Sequence, residues 1–234
     1  AREMKERIAR LVPAADARYL WMGTFHSVCA RLLRTEAERL GFTRDFSIYD
    51  TADSKSVLKQ ILKEQQLDEK IYKVGNVLGR ISTAKNMLIS PDEYAHSHDF
   101  YKADSEVRMY KMAEVYQAYQ VRLKAANAMD FDDLLINMNA LMEQNAEVRD
   151  KYQQAFQYVL VDEYQDTNYV QYLLVKHLAE PQNRICVVGD DAQSIYSFRG
   201  ADIRNILGFQ RDYPHSHLYK LERNYRSTQT IVDA

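Results

Sequence analysis

The run Val159-Leu160-Val161 leads straight into Asp162-Glu163. An apolar run closing on adjacent acids is how a buried strand presents carboxylates to a divalent cation and a water molecule. One acid of such a pair suits holding magnesium through its water shell, and the other suits orienting and deprotonating an attacking water beside a nucleotide. Further along, a second apolar run, Ile185-Cys186-Val187-Val188, ends in Gly189-Asp190-Asp191-Ala192-Gln193-Ser194-Ile195-Tyr196-Ser197-Phe198-Arg199-Gly200-Ala201. Gln193 can donate to a phosphate oxygen and accept from a water at once. Tyr196, Phe198 and Arg199 offer two flat faces and a guanidinium to a single strand of nucleic acid; a core aromatic pair with an exposed arginine is the plain alternative. Two strands that stop at polar clusters predict one shared crevice, because open parallel sheets take their ligands at the carboxyl ends of their strands.

The elements that must position these residues alternate between strand and helix at both ends of the chain. Tyr19 to Thr24 reads as a strand, after which Ser27 caps a helix bearing Val28, Leu32, Leu33, Ala37 and Leu40 and stopped by Gly41. From about Phe46 the pattern turns helical. One helix carries Val57, Leu58, Ile61 and Leu62, another Val74, Val77, Leu78, Ile81 and Leu88, and a long third runs from Val107 to Leu123, with Pro91 as a break. No strand signal lies inside this block, which reads as an insertion between two halves of an α/β domain. Leu134, Leu135, Met138, Leu141 and Met142 mark a helix before the acid-tipped strand, and Asp166 or Thr167 opens another through Leu178. Arg184 to Gly189 and His217 to Leu221 are the remaining strand candidates.

Composition narrows the classes. The 234 residues are 46% hydrophobic and 27% charged, ordinary for a globular chain. No apolar run is long enough to cross a bilayer and no charged-then-apolar leader opens the chain, so the expected location is cytoplasmic. Cys29 and Cys186 sit among apolar neighbours and read as packed thiols. A net charge of −2 lacks the broad positive field of a protein that grips nucleic acid by phosphates alone, so any DNA contact must be local. Seventeen tyrosines and eight phenylalanines supply stacking faces for such a contact. The opening Ala1-Arg2-Glu3-Met4-Lys5-Glu6-Arg7 reads as a helix without its beginning, and Ile231-Val232-Asp233-Ala234 stops inside a patterned run. The expectation is a piece of a longer protein.

Four blocks carry a resemblance: GTFHS at Gly23 to Ser27, VDEYQDTN at Val161 to Asn168, GDDAQSIYSFRGA at Gly189 to Ala201, and LERNYRS at Leu221 to Ser227. In order and spacing they resemble superfamily 1 DNA helicases of the UvrD/Rep/PcrA type, a likeness that covers essentially the whole chain. It implies an α/β fold with a RecA-like parallel sheet, an inserted all-helical subdomain and the start of a second RecA-like domain. The implied boundaries are 1–45 and 128–215 for the first RecA-like domain, 46–127 for the insertion and 216–234 for the second domain.

The implied activity is that of an ATP-dependent 3′-to-5′ translocase that moves on single-stranded DNA and unwinds duplex, with ATP and Mg2+ as cofactors. Single-stranded DNA and the single-strand/duplex junction are its implied partners, beside repair or replication proteins. By the same resemblance Asp162 and Glu163 are magnesium ligands and Glu163 the catalytic base, Gln193 touches the terminal phosphate, Arg226 is an arginine finger and Tyr225 lies near the nucleotide base. Gln165 links the acidic motif to its neighbours. Thr24, Phe25 and His26, with Tyr196, Phe198 and Arg199, are the implied DNA track. Phe198 stands where relatives often have tryptophan, which weakens stacking while keeping a flat face. Lys73, Arg80 and Lys85 are considered as contacts to duplex phosphates, with a solvated helix face as the commoner role for such lysines and arginines.

No G-x-x-x-x-G-K-[ST] loop occurs in the sequence, so these residues contain no backbone cradle or lysine for the β and γ phosphates. The expectation is that the parent protein hydrolyses ATP and the fragment alone is inactive. Two alternatives stand beside it: a non-hydrolysing module that binds single-stranded DNA or a partner, and the motor subunit of a helicase-nuclease.

Overall fold

The structure, a computed structural model, describes residues 2–12, 19–190, 202–221 and 228. The described residues form a mixed α/β fold, mostly helical, with two small parallel sheets.

Helix α1 spans Arg2–Ile8 and α2 spans Phe25–Glu36. A 3-10 turn, Ala37–Leu40, extends α2 and ends at Gly41, whose φ of 69° is the left-handed cap anticipated there. The cap that starts α2 is Thr24, three residues earlier than Ser27. Thr24 is extended, and its hydroxyl accepts from the Ser27 N–H at 3.3 Å. Tyr19 to Thr24 forms no strand; Tyr19, Leu20 and Trp21 are exposed and pair with no strand among the described residues.

Strand β1, Ser47–Tyr49, lies inside the block that reads as all-helical from Phe46, so that block is not strandless; three residues are too few to show a period, and β1 pairs in parallel with β2, Ala128–Asp130, at the block's far end. Between them lie five helices: α3 Thr51–Glu64, α4 Val74–Asn86, α5 Pro91–His96, α6 His98–Glu106 and α7 Met112–Ala125. Pro91 does not interrupt this series; it starts α5 at a position where its missing N–H costs nothing, with Ser90 and Glu93 forming a capping box around it. The long helix expected from Val107 to Leu123 starts only at Met112: α6 has already ended at Glu106, and Arg108 adopts a φ of 61° that turns the chain before α7 begins. These helices enclose their own core, centred on Leu58, Ile81, Val115, Tyr116 and Tyr119.

Helix α8, Phe131–Gln144, begins at the Asp130 cap and packs against α2 through Leu33, Leu134 and Met138. Helix α9, Ala146–Ala155, follows; its polar composition hid it from periodicity. Strand β3, Val159–Val161, then pairs in parallel with β4, Ile185–Val187, across helix α10, Tyr169–Ala179. Short helices α11, Arg204–Leu207, and α12, Phe209–Asp212, complete the described order. His217 to Leu221 carries no strand.

Among the described residues, the β3–β4 pair is covered on one face only. Val161, with Val159, Ile185 and Val187 beside it, packs on Tyr164 and Val175. Leu160 and Cys186, opposite each other in the register, point the other way; Leu160 is 75% exposed and Cys186 is an exposed thiol. Cys29 is buried as expected, whereas Cys186 is not the packed thiol that its apolar neighbours suggested.

Candidate functional site

Parallel pairing brings the ends of β3 and β4 side by side. The ladder continues past the strands: the Val188 N–H donates to the Val161 carbonyl at 2.8 Å, and the Tyr164 N–H donates to the Val188 carbonyl at 2.9 Å. Asp162-Glu163 and Gly189-Asp190 therefore emerge from neighbouring strands at the same sheet edge, the shared position expected from the sequence.

The acids sit on a sharp turn. Glu163 has a φ of 52°, a left-handed conformation that is uncommon for a side chain other than glycine, asparagine or aspartate. The Asp162 carboxylate accepts from the Glu163 N–H at 3.0 Å, and both side chains are exposed. Immediately beyond, Tyr164 and Gln165 turn inward and are buried to 1% exposure. Tyr164 anchors the turn in the Val161–Val175 cluster and meets Phe209 edge-on at 5.9 Å.

Gln165 joins the two strand ends through one side chain. Its Nε2 donates to Glu163 Oε2 at 2.7 Å, and its Oε1 accepts from the Asp190 N–H at 3.1 Å. A carboxylate accepts and a backbone N–H donates, so only one orientation of the amide satisfies both partners. Gly189 makes the approach possible: a Cβ there would stand 2.5 Å from Gln165 Oε1 and 2.7 Å from Ile206 Cδ1. On the other side of the turn, the Thr167 carbonyl accepts from the Asp202 N–H at 3.0 Å and from Asn205 Nδ2 at 2.9 Å. The turn is thus bonded both to the end of β4 and to the start of α11.

Magnesium fits the donor chemistry. Two exposed, adjacent carboxylates are the hard oxygen ligands it prefers, and magnesium beside a nucleotide usually takes one or two protein carboxylates, with phosphates and water supplying the rest. Gln193, Tyr196, Phe198, Arg199, Tyr225 and Arg226 lie outside the described residues.

The start of α2 lies beside this turn. Phe25 is half-buried against the Val161–Tyr164–Val175 cluster, which makes its ring a joint between α2 and β3. Thr24 is exposed at the helix start, and His26 meets the Phe131 ring edge-on at 5.7 Å. Phe131, 46% exposed at the first position of α8, is a surface ring the sequence reading passed over. The signal for it was the Asp130-Phe131-Asp132-Asp133 capping pattern, which puts Phe131 at an outward N-terminal position.

Lys85 is the clearest correction. It is fully buried, with its Nζ 2.7 Å from Asp130 Oδ2 and 2.8 Å from Asp133 Oδ1, and cannot meet phosphate. Burial pushes Asp133 up to about 6 against the pull of the ammonium, whereas in Asp130 burial is overcome by the ammonium together with hydrogen bonds from the Asp133 N–H and the Tyr119 hydroxyl, which hold the carboxyl below its ordinary value. Arg80 is engaged by the buried Asp104, and Lys73 is exposed.

The chain belongs to the UvrD/REP helicase N-terminal domain family, whose model matches residues 1–214. Over its full length it is 49% identical to the ATP-dependent DNA helicase PcrA of Bacillus subtilis and 48% identical to that of Staphylococcus aureus, strain Mu50. The corresponding protein of Staphylococcus epidermidis is 46% identical. The chain spans 31% of the length of each of these relatives. Among the described residues, no helix is long and apolar enough to cross a membrane.

Proposed function

We propose that the protein carrying this chain is an ATP-driven motor that moves 3′-to-5′ on single-stranded DNA and unwinds duplex at a junction. In this reading β3 and β4 belong to the first RecA-like domain, residues 1–45 and 128–215, residues 46–127 are a mainly helical insertion, and residues 216–234 begin a second RecA-like domain. The β1–β2 ladder at the two ends of the helical stretch supports the insertion.

Asp162 and Glu163 would hold Mg2+ with ATP, and the ion would supply charge neutralisation to the phosphates. Glu163 orients and deprotonates the attacking water, and the Gln165 amide holds its carboxylate in place. Gln193 contacts the terminal phosphate, Arg226 stabilises the transferred charge, and Tyr225 lies against the base. Thr24 and His26, with Phe131 beside His26, continue into Tyr196, Phe198 and Arg199 as the DNA track; Phe25 supports the track from beneath. The observation that carries this reading is the Gln165 bridge, which ties the candidate base to the strand end that leads into Gln193.

The test is Glu163→Gln in the full-length protein. Nucleotide binding should persist while DNA-stimulated ATP turnover falls by about 10²–10⁴-fold, the usual contribution of a positioned base. Unchanged turnover would remove Glu163 from that role.

A further inference from the structure

The C-terminal end of α4 is held by two consecutive residues with different partners. Lys85 is clamped by Asp130 and Asp133. Asn86, the next residue, reaches the acid-bearing turn: its Oδ1 accepts from Asn168 Nδ2 at 2.6 Å, while its own Nδ2 donates to the Ser82 carbonyl at 2.8 Å and to Asp132 Oδ1 at 3.1 Å. A backbone carbonyl can only accept, so Nδ2 must face Ser82 and Oδ1 is left to receive Asn168. Asn168 is equally constrained. It caps α10, with its Oδ1 accepting from the Gln171 N–H at 2.9 Å, and its Nδ2 therefore points to Asn86.

The result is a hydrogen-bond relay of fixed polarity from the first turn of α10, directly after the Asp162–Thr167 segment, to the last turn of α4. Asn168 is buried and Asn86 partly so, so breaking the bond would leave the Asn168 amide short of a partner. The same turn is bonded to the end of β4 through Gln165 and to α11 through Thr167, so a displacement of its carboxylates is shared among three elements.

We propose that Asn86 is a positioning residue of the motor, transmitting movement of the acid-bearing turn to the five-helix block so that the block follows the nucleotide state. This rests on the ATP-driven reading above.

The experiment compares wild type with Asn86→Ala in the full-length protein, measuring ATP turnover and duplex opening together. DNA-stimulated turnover should stay within about twofold of wild type, while base pairs opened per ATP fall at least about fivefold, the lower edge of usual coupling between sites. An unchanged ratio, or a parallel fall in both activities that tracks lost thermal stability, overturns the proposal. Amide hydrogen exchange gives a second readout. A non-hydrolysable ATP analogue should alter protection across Val74–Asn86 in wild type and leave it unaltered in Asn86→Ala; the same response in both proteins overturns the proposal. Asn86→Asp, which keeps the acceptor for Asn168 but sets a second carboxylate beside Asp132, should uncouple in the same way; wild-type coupling in it counts against the relay. Absence of ATP turnover in wild type would defeat the motor reading itself and is seen before any variant is compared.

Discussion

Replacing Lys85 with methionine separates a structural lysine from a DNA contact. Methionine keeps most of the apolar stem, so the packing lost is small and the change is chiefly electrostatic. What remains is two carboxylates, Asp130 and Asp133, 5% and 3% exposed, that have lost the ammonium 2.7 and 2.8 Å away. Removing one partner of a buried pair costs about 3–5 kcal/mol, several times the value of an exposed ion pair. For a chain of this size each kcal/mol lowers the melting temperature by about 2–4 °C, so the expected fall is roughly 6–20 °C. The stranded acids can relieve the strain by binding a proton, which Asp133 does most readily since burial has already raised it to about 6. The penalty should therefore be largest near pH 8 and smaller near pH 5. Thermal melts of both proteins at the two pH values, with a DNA titration beside them, make the comparison. A loss below about 1 kcal/mol, the level of surface pairs, would refute the buried-clamp account. So would a penalty independent of pH, or a variant of wild-type stability that binds DNA more weakly.

Two further substitutions probe the same region and its neighbour. Gly189→Ala sets a methyl group 2.5 Å from Gln165 Oε1, so it should break the bridge between Glu163 and Asp190. It should cost about 1–3 kcal/mol in chemical denaturation, as overpacking does, and lower ATP turnover in the full-length protein; an unaltered denaturation midpoint would show that the bridge is not tight. Asp133 binds its proton at a higher pH when folded than the ordinary 3.8, because burial raises it to about 6. The folded state therefore holds the extra proton between those values, and the stability this contributes is present at the acid end and lost as pH rises towards 6. Asp133→Asn should flatten that decline in melts between pH 4 and 6, and identical slopes would assign the decline to another group.

The sequence was most legible where one residue type serves one purpose. Gly41 announced a left-handed cap, and Val159–Val161 and Ile185–Val187 announced strands that deliver polar clusters to one edge. It was least legible where tertiary partners decide. Tyr19 to Thr24 has strand-like residues but no described neighbour to pair with, and a three-residue strand at Ser47 is too short to leave a period. Lys85 illustrates the same limit at the candidate site. Lysine on an amphipathic helix usually faces water, and only the fold reveals that Asp130 and Asp133, distant in sequence, draw it inside. Asp162, Glu163 and Gln165 could be nominated from type and position, whereas nothing local marked Asn86, because its partners beyond its own helix, Asp132 and Asn168, are distant in sequence.

The parallel sense of the β1–β2 ladder has an architectural consequence. Two antiparallel strands can be joined by a tight turn, but parallel neighbours oblige the backbone to travel back along the sheet before re-entering, usually by way of a helix. The segment from Thr51 to Ala125 fills that obligatory return with five helices where the simplest unit has one. A lineage could enlarge or trim this excursion without rewiring the sheet, provided some crossover survived. Deleting it down to a two-residue loop would leave β1 and β2 unable to lie side by side in their present direction.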